Sequence, residues 1–200
     1  MKGSLIIVGF FVLGTICGVC HLLPFDIAET NISYYALCAL MFSVGLSVGN
    51  DPQTLKNFRS LNPRLVFLPI MTILGTLAGS AAVSLILTHR SITDCLAVGS
   101  GFGYYSLSSI FITEYKGAEL GTIALLANIS REILTLLAAP LLVRWFGNLA
   151  PISVDGATTM DTTLPIITRT AGQQFVVVSI FHGFVVDFSV PFLVTLFCSI

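Results

Sequence analysis

The sequence predicts an all-α integral membrane protein with about seven hydrophobic segments, some of them broken or re-entrant. Two observations support this fold class. Hydrophobic residues make up 55% of the chain and charged residues only 10%, whereas about 25% of the residues in soluble proteins are charged. The apolar residues also gather into runs long enough to cross a bilayer, which takes a helix of about 20 residues.

Composition and motifs exclude several classes of function. The net charge of −1 leaves no basic surface for nucleic acid. The sequence has no Walker motif, zinc signature or nucleophile elbow, so it indicates neither ATP-driven transport nor an enzyme. Residues Cys17 to His21 match the spacing of a haem attachment site, but they close an apolar run. We therefore interpret them as helix-packing residues and predict no cofactor.

The first half of the chain contains three candidate spans. Leu5–Leu23 is too long and lacks the cleavage site of a signal peptide, so it is predicted to be a span. Ser33–Gly49 is the second span, and the polar stretch Asn50–Arg64 follows it. Leu65–Thr88 is the third.

The second half contains four further hydrophobic segments, all of which carry helix-breaking or polar residues. Cys95–Ile112 has three glycines within five residues, each costing ~1 kcal/mol relative to alanine inside a helix, which predicts a broken helix. Glu119–Phe146 is a long helix with a polar centre. Gly156–Gly172 is Thr-rich and contains a proline, and is either a thin span or a re-entrant loop. Phe175–Ile200 is the last span, and we expect His182, Asp187 and Pro191 to interrupt it.

The basic residues predict an orientation. A cytoplasmic N-terminus and seven crossings would place most of them inside, as the positive-inside rule requires. The residues predicted to lie inside are Lys2, Lys56, Arg59, Arg64, Lys116 and Arg169, those outside are Arg90 and Arg144, and Arg131 is intramembrane.

The strongest functional signal is the polar cluster from Asn128 to Glu132 in the middle of a span. A charge at the centre of a spanning helix costs ~2.5–3.5 kcal/mol, so such residues face a bundle interior or a water-filled cavity. Neighbouring helical residues diverge by about 100°, so Arg131 and Glu132 should not pair, whereas Asn128 and Glu132 share a face. We expect Arg131 to meet a carboxylate on another span or on a partner chain. The cluster is either a structural ion pair or a site for a cation or proton, and we favour the second.

Two strings rich in Gly, Ser and Thr, Gly99–Ser106 and Gly156–Pro165, extend the candidate site. Secondary transporters build sites from interrupted helices, whose carbonyl ends suit an ammonium group. Close helix packing is the alternative for these small residues. His182 is likewise either a site residue or a hydrogen-bonded packing residue, and it cannot form a local pair with Asp187 on the same helix. The candidate residues for binding substrate or proton are Asn128, Arg131, Glu132, Ser100, Gly101, Gly103, Tyr105, Ser106, Thr159, Asp161, Thr162, Thr163 and His182.

Several strings together resemble the LysO-type lysine exporter family. They match in order and spacing over residues 35–200. The matching strings are Ser100–Ser108, Ser130–Ile133, Gly156–Pro165 with Arg169, and His182–Phe184.

The resemblance implies a function, a location and a fold. It implies a multi-pass protein that exports L-lysine, and its toxic analogue thialysine, across the bacterial inner membrane. Glu132 falls where the family has an intramembrane acidic residue essential to export. The implied fold is similar to sodium/proton antiporters and bile-acid symporters, with inverted repeats and crossing broken helices, although this link is analogy.

The chain departs from the family in both sequence and length. Ile129 stands where an acid is usual, Tyr104 where tryptophan is frequent, and Asp187 has no expected counterpart. The usual exporter also carries an N-terminal third with a second essential acid. The resemblance therefore suggests that residues 1–200 form a single transmembrane domain that is incomplete without a small partner chain. A partner of about 100 residues would supply the missing helices at about 20 residues each.

Two alternatives to lysine export remain open. The same broken helices and acid would serve a cation/proton antiporter, and a non-transporting helper subunit would use its polar residues to hold helices together. The expected partners are the lipid bilayer, L-lysine, protons or another coupling cation, the small membrane chain, and further copies of this chain, the last left open. Replacing Glu132 by Gln distinguishes transport from the helper role, because it deletes the charge and keeps the shape.

Overall fold

The computed structural model describes residues 63–87 and 89–200, and near the N-terminus only Leu13, Ile16, Cys17, Gly18, Tyr35, Ala39 and Phe42. The chain forms two compact units, Met1–Ser43 and Val44–Ile200. The described residues of the first unit are helical. Apart from those positions, the predicted spans Leu5–Leu23 and Ser33–Gly49 lie outside the described residues. So do Lys2, Lys56, Arg59 and the pair Cys20-His21.

Every regular element in the described part of the second unit is a helix. The α-helices are α1 (Phe67–Ser84), α2 (Ile92–Gly99), α3 (Tyr105–Lys116), α4 (Ala118–Phe146), α5 (Ala150–Asp155), α6 (Leu164–Ala171) and α7 (Val176–Ser199). Short 3₁₀ turns lie at Pro63–Val66, Ala157–Met160 and Gln173–Phe175.

Three of these helices are long and apolar enough to cross a membrane, namely Phe67–Ser84, Ala118–Phe146 and Gln173–Ser199. They correspond to the spans predicted at Leu65–Thr88, Glu119–Phe146 and Phe175–Ile200. One expectation was wrong, because α7 continues through Pro191 as a single helix. Proline is tolerated in membrane helices because neighbouring groups satisfy the freed carbonyl.

The segment predicted to be a broken helix is indeed split into α2 and α3, and α2 runs parallel to α4. Arg90, just before α2, forms an ion pair with Glu119 at the start of α4. Val98, near the end of α2, accepts a hydrogen bond from Asn128, which lies further along α4. The two helices therefore run in the same direction, with the start of α2 beside the start of α4.

In contrast, α3 runs back along α4 to where α2 began. Ser108, near the start of α3, lies 3.4 Å from Nδ2 of Asn128, and Lys116 at its end lies 3.8 Å from Oδ1 of Asp94. The pair α2–α3 is thus a re-entrant hairpin that enters and leaves at one end of the protein, which we call the Lys116 end. Our orientation argument was wrong here, because it placed Arg90 and Lys116 on opposite sides.

A second hairpin, α5–α6, enters from the other end. Val154 at the tip of α5 accepts a hydrogen bond from Arg131 in the middle of α4, and Thr163 at the start of α6 contacts Asp155 beside that tip. The outer ends of both helices meet again at a hydrophobic cluster, which defines the Ala171 end. This cluster consists of Ile152, Ile167, Ala171 and Val178, with Leu65, Val143, Leu149 and Phe175 packed against it. Gly156–Gly172 is not one continuous helix but runs from the tip of this hairpin to the Ala171 end, which favours the re-entrant alternative.

The length of each helix explains why the hairpins stop halfway. At about 1.5 Å per residue, the eight residues of α2 rise about 12 Å, less than half of an apolar bilayer core of about 30 Å. The described residues therefore contain three helices that are long and apolar enough to cross a membrane, and two hairpins whose helices are too short to do so.

Each hairpin and the long helix that follows it form a three-helix group, and the two groups run in opposite directions along the protein. The group α2–α3–α4 begins at the Lys116 end and finishes at the Ala171 end, whereas the group α5–α6–α7 begins at the Ala171 end and finishes at the Lys116 end. This is the arrangement of an inverted repeat, which many secondary transporters share. It differs from the expected pair of crossing broken helices, because each broken segment returns to the end from which it came.

Candidate functional site

The tips of the two hairpins meet in the middle of the protein. We call this contact the junction and define it as Ser100–Tyr104 and Asp155–Ala157. The backbone N–H of Ala157 donates to the carbonyl of Phe102 at 2.8 Å. A Cβ on Gly156 would lie 2.2 Å from the same carbonyl, and one on Gly103 would lie 2.8 Å from that of Asp155. Only glycine permits this approach, and both glycines also have φ above +90°.

Asn128 on α4 satisfies the backbone of the first tip. Its Oδ1 accepts from the N–H of Gly103 at 2.8 Å, and its Nδ2 donates to the carbonyls of Ala124 and Val98 at 2.9 and 3.3 Å. Its side chain is almost completely buried. Because both polar atoms of the amide are occupied, Asn128 holds the broken helix in place and has little capacity left for a substrate.

Arg131 supports the second tip from the same helix. Its Nε donates to the carbonyl of Val154 at 2.5 Å, and its Nη2 to those of Ser153 at 3.2 Å and, at 3.3 Å, to the hydroxyl of Thr76 on α1. The last carbonyls of a helix carry partial negative charge, which a guanidinium complements. We expected a carboxylate partner for Arg131, but within the described part of the chain its hydrogen bonds go to carbonyls and a hydroxyl.

Glu132 faces away from Arg131, as the helical geometry predicted. It occupies the midpoint of α4 and is half-buried. Thr162 and Asp161 lie close to its carboxylate, and the charge of Asp161 acts on it. Tyr105 at the start of α3 is also close enough to feel the charge of Glu132. We call these four residues the acidic face.

The acidic face is open on the side formed by the loop before α6. Asp161 and Thr162 are exposed. The Oδ1 of Asp161 accepts from the N–H of Thr162 at 2.5 Å, which fixes the turn that presents both side chains. The carboxylate of Glu132 is therefore neither sealed in the core nor joined to a cation among the described residues.

Asp155 at the tip of α5 was not among the predicted site residues. Its side chain is fully buried, and its Oδ2 accepts from the hydroxyls of Thr158 at 2.8 Å and Thr163 at 2.5 Å. Its Oδ1 has no hydrogen-bond partner in the described structure. The sequence signal was an acid that directly follows the mainly apolar residues Pro151–Val154 and precedes Gly156, at the edge of the string Gly156–Pro165.

His182 and Thr159 brace the second tip against α7 and α1. The His182 ring lies 3.0 Å from the hydroxyl of Thr72 and 3.4 Å from that of Thr159. Thr159 in turn donates to the carbonyls of Gly156 and Ser179. The side chains of Thr72, Thr159 and His182 are all buried. This arrangement fits the alternative that His182 is a hydrogen-bonded packing residue.

The remaining candidates lie around the first tip. Ser100 donates to the carbonyl of Leu96 at 2.7 Å and is buried. A Cβ on Gly101 would lie 2.4 Å from Nδ2 of Asn128, so this glycine allows the amide to approach. Ser106 is half-buried on α3. The candidates thus fall into two groups. One group holds the junction and includes Thr163, which is hydrogen-bonded to Asp155. The other group is the acidic face.

A cleft of about 760 Å³ lies between α1, α2 and α4, on the side of α4 that carries Arg131. It extends from the Lys116 end to the middle of the protein. Glu132 does not line it. Its polar lining residues are Thr76, Ser80, His89, Arg90, Asp94, Asn128 and Arg131.

Comparison with known proteins identifies relatives over nearly the whole chain. A family model described as Lysine exporter LysO matches residues 8–198. Lysine exporter LysO of Escherichia coli (strain K12) is 36% identical over 196 residues, which are 98% of this chain and 64% of that protein. The protein of Haemophilus influenzae named Putative lysine exporter is 34% identical over 98% of this chain and 96% of its own length. No solved structure matches.

Proposed function

Because the chain belongs to the lysine exporter family LysO, we propose that it exports L-lysine, and thialysine, across the bacterial inner membrane as a secondary transporter. One observation carries this proposal: the carboxylate of Glu132 sits at the midpoint of a 29-residue apolar helix, with no basic partner among the described residues. Such a carboxylate requires a positive charge or a proton. L-Lysine supplies an ammonium group.

The surroundings of Glu132 favour reversible binding. Arg131 could have neutralised this acid permanently, but the carbonyls at the end of α5 hold it on the other side of α4. The exposed Asp161 and Thr162 leave a route by which a cation reaches the carboxylate. Two hairpin tips beside the acid give the site two boundaries that can open in turn, as alternating access requires.

The decisive experiment measures lysine uptake into everted membrane vesicles, where export from the cell becomes accumulation. Glu132→Gln keeps the size and hydrogen-bonding groups of the side chain but removes its charge. A hydrogen bond to a charged group contributes ~1.5–3 kcal/mol, so we expect uptake to fall roughly 10- to 100-fold. Glu114→Gln, an exposed acid in the last turn of α3, is the matched control and should transport like the native protein.

The same vesicles separate the alternatives. Undiminished lysine uptake by Glu132→Gln, at equal protein level, would reject the transport role of this acid and favour a helper subunit. Proton-linked movement of an inorganic cation, with no lysine movement in the native protein, would favour the cation/proton antiporter.

We further propose that full export needs a second polypeptide. The chain spans 64% of the length of the Escherichia coli relative and 96% of that of the Haemophilus influenzae relative, so the test is whether the chain transports by itself. Expression of the chain alone should then give little lysine efflux, and co-expression with a small membrane protein encoded beside it should restore efflux. Full efflux from the chain alone would reject the split transporter.

A further inference from the structure

Asp155 combines full burial with unused binding capacity. Thr158 and Thr163 occupy its Oδ2, whereas its buried Oδ1 has no hydrogen-bond partner within the described residues. A buried carboxylate that is ionised and incompletely hydrogen-bonded is unstable, and such a group favours binding a proton or a cation. The position is also mechanically important, because the backbone of Asp155 contacts Gly103 at the junction.

A proton fits this place better than a metal ion. Hard metal ions such as Ca²⁺ take about six or more oxygen ligands, and the described residues contain no cluster of three acidic, His or Cys side chains that could hold a metal. The two threonine hydroxyls already donate their hydrogens to Oδ2, and the positive charge of Arg131 acts on Asp155, which disfavours a further cation. A proton requires only one lone pair.

We propose that Asp155 is the site of the coupling proton, which binds and leaves its Oδ1 during each transport cycle. This inference rests on the proposed lysine export and assigns the two charges to separate acids, the ammonium group to Glu132 and the proton to Asp155. The step is a simple transfer, in which the O–H bond of Asp155 breaks and the proton passes to water.

The neighbouring charges link the two acids. Apart from Arg144 and the groups at the Lys116 end, the titratable or charged side chains on the surrounding elements are Arg131 and Glu132 of α4, His182 and Asp187 of α7, Tyr104 and Tyr105 at the first tip, Asp161 before α6 and, in the last turn of α6, Arg169; α1 has none. Of these, Glu132 and Arg131 act on Asp155. The negative charge of Glu132 favours a protonated Asp155, and the positive charge of Arg131 favours the ionised form.

Lysine binding should therefore expel the proton. When an ammonium group neutralises Glu132, the repulsion that kept Asp155 protonated disappears, and Arg131 then favours loss of the proton. Thermodynamic linkage makes this effect reciprocal, so a protonated Asp155 weakens lysine binding at Glu132. Mutual exclusion of lysine and proton is the requirement for exchange in opposite directions.

The first test measures protons released when L-lysine is added to the purified protein in lipid nanodiscs, in a weakly buffered solution with a pH-indicator dye. The native protein, co-purified with its partner chain if that is required, should release close to a full proton for each lysine bound. Asp155→Asn should still bind lysine, measured by calorimetry, but release none. Glu114→Gln should behave like the native protein. Release of protons by Asp155→Asn at the native level would overturn the assignment.

The second test does not depend on lysine. Infrared difference spectra between acidic and alkaline solution should contain the C=O band of a protonated buried carboxyl group, and this band should be missing from Asp155→Asn. Thr163→Val keeps the side-chain shape but removes a hydrogen bond to the ionised form, so it should move the midpoint of this band to higher pH. A band unaffected by both substitutions would overturn the assignment. Absence of lysine binding by the native protein, with the band present and assigned to Asp155, would instead refute the proposed substrate alone.

Discussion

Replacing Gly156 by alanine should break the contact between the two hairpin tips. Two costs add at this position. A residue with a Cβ is strained at φ +91° and ψ −119°, by about 1–3 kcal/mol. The new Cβ would also lie 2.2 Å from the carbonyl oxygen of Phe102, whereas carbon–oxygen contacts normally measure about 3.3–3.6 Å.

The second cost follows from the separation that this clash forces. The tips must move apart by about 1 Å to restore a normal contact, which breaks the 2.8 Å hydrogen bond from Ala157 N–H to the Phe102 carbonyl. A buried donor left without a partner costs about 1–3 kcal/mol. Together the two costs amount to about 2–6 kcal/mol of stability, and the displaced junction should also abolish lysine transport.

Two further glycines provide matched controls. Gly117 between α3 and α4 also has a positive φ, at +93°, but a Cβ there would have no atom within 4 Å. Gly117→Ala should therefore show the backbone strain alone. Gly75 inside α1 has neither the positive φ nor a close neighbour, so Gly75→Ala should be neutral or stabilise the helix by up to about 1 kcal/mol.

The assay is thermal unfolding of the purified variants in detergent, followed by tryptophan fluorescence, together with lysine uptake into everted vesicles. The melting temperature should fall in the order Gly75→Ala, Gly117→Ala, Gly156→Ala, and only the last variant should lose transport. Equal melting temperatures for Gly117→Ala and Gly156→Ala, with transport intact, would refute the close contact of the tips.

Two other substitutions test how α4 holds the hairpins. Asn128→Leu leaves the buried N–H of Gly103 without a partner, so the free energy of unfolding should fall by about 1–3 kcal/mol. The control is Thr122→Val, which removes an exposed hydrogen bond within the same helix and should cost about 0.5 kcal/mol or less. Equal effects of the two substitutions would contradict the role of Asn128. Arg131→Lys keeps the charge but cannot reproduce the forked hydrogen bonds to α5. If the activation free energy of transport rises by ~1.4 kcal/mol or more, lysine uptake falls about tenfold or more. The exposed Arg144→Lys should transport normally, and native uptake by Arg131→Lys would show that charge alone suffices.

The three long helices and the first break followed from local sequence. The α4 helix was predicted because its apolar run exceeds the thickness of a bilayer, and the different faces of Arg131 and Glu132 follow from helical periodicity alone. The first break was predictable because the glycines at 99, 101 and 103 weaken a helix at one place. These features depend on residues that are near one another in the chain.

The return of each broken segment to its own end was not predictable in this way. The stretch from Ile92 to Lys116 has the length and apolar character of a single span, and hydropathy is the same whether its second half continues or turns back. The ion pair of Arg90 with Glu119 shows the turn, but it joins residues that are far apart in the sequence. The partners of Arg131 were missed for a related reason. Every residue has a backbone carbonyl, so residue type does not indicate which carbonyl will accept a hydrogen bond from the guanidinium.

The most direct test of the whole account is whether the acidic face is open to water and attracts positive charge. We would place a cysteine at Thr162, beside Glu132, in a chain whose five native cysteines are replaced by alanine. The new thiol should react faster with a positively charged thiosulfonate than with a neutral one, L-lysine should slow that reaction, and Glu132→Gln should remove both effects. A thiol that is unreactive, or whose reaction is indifferent to lysine and to the charge at Glu132, would contradict the proposal that this carboxylate receives the transported cation.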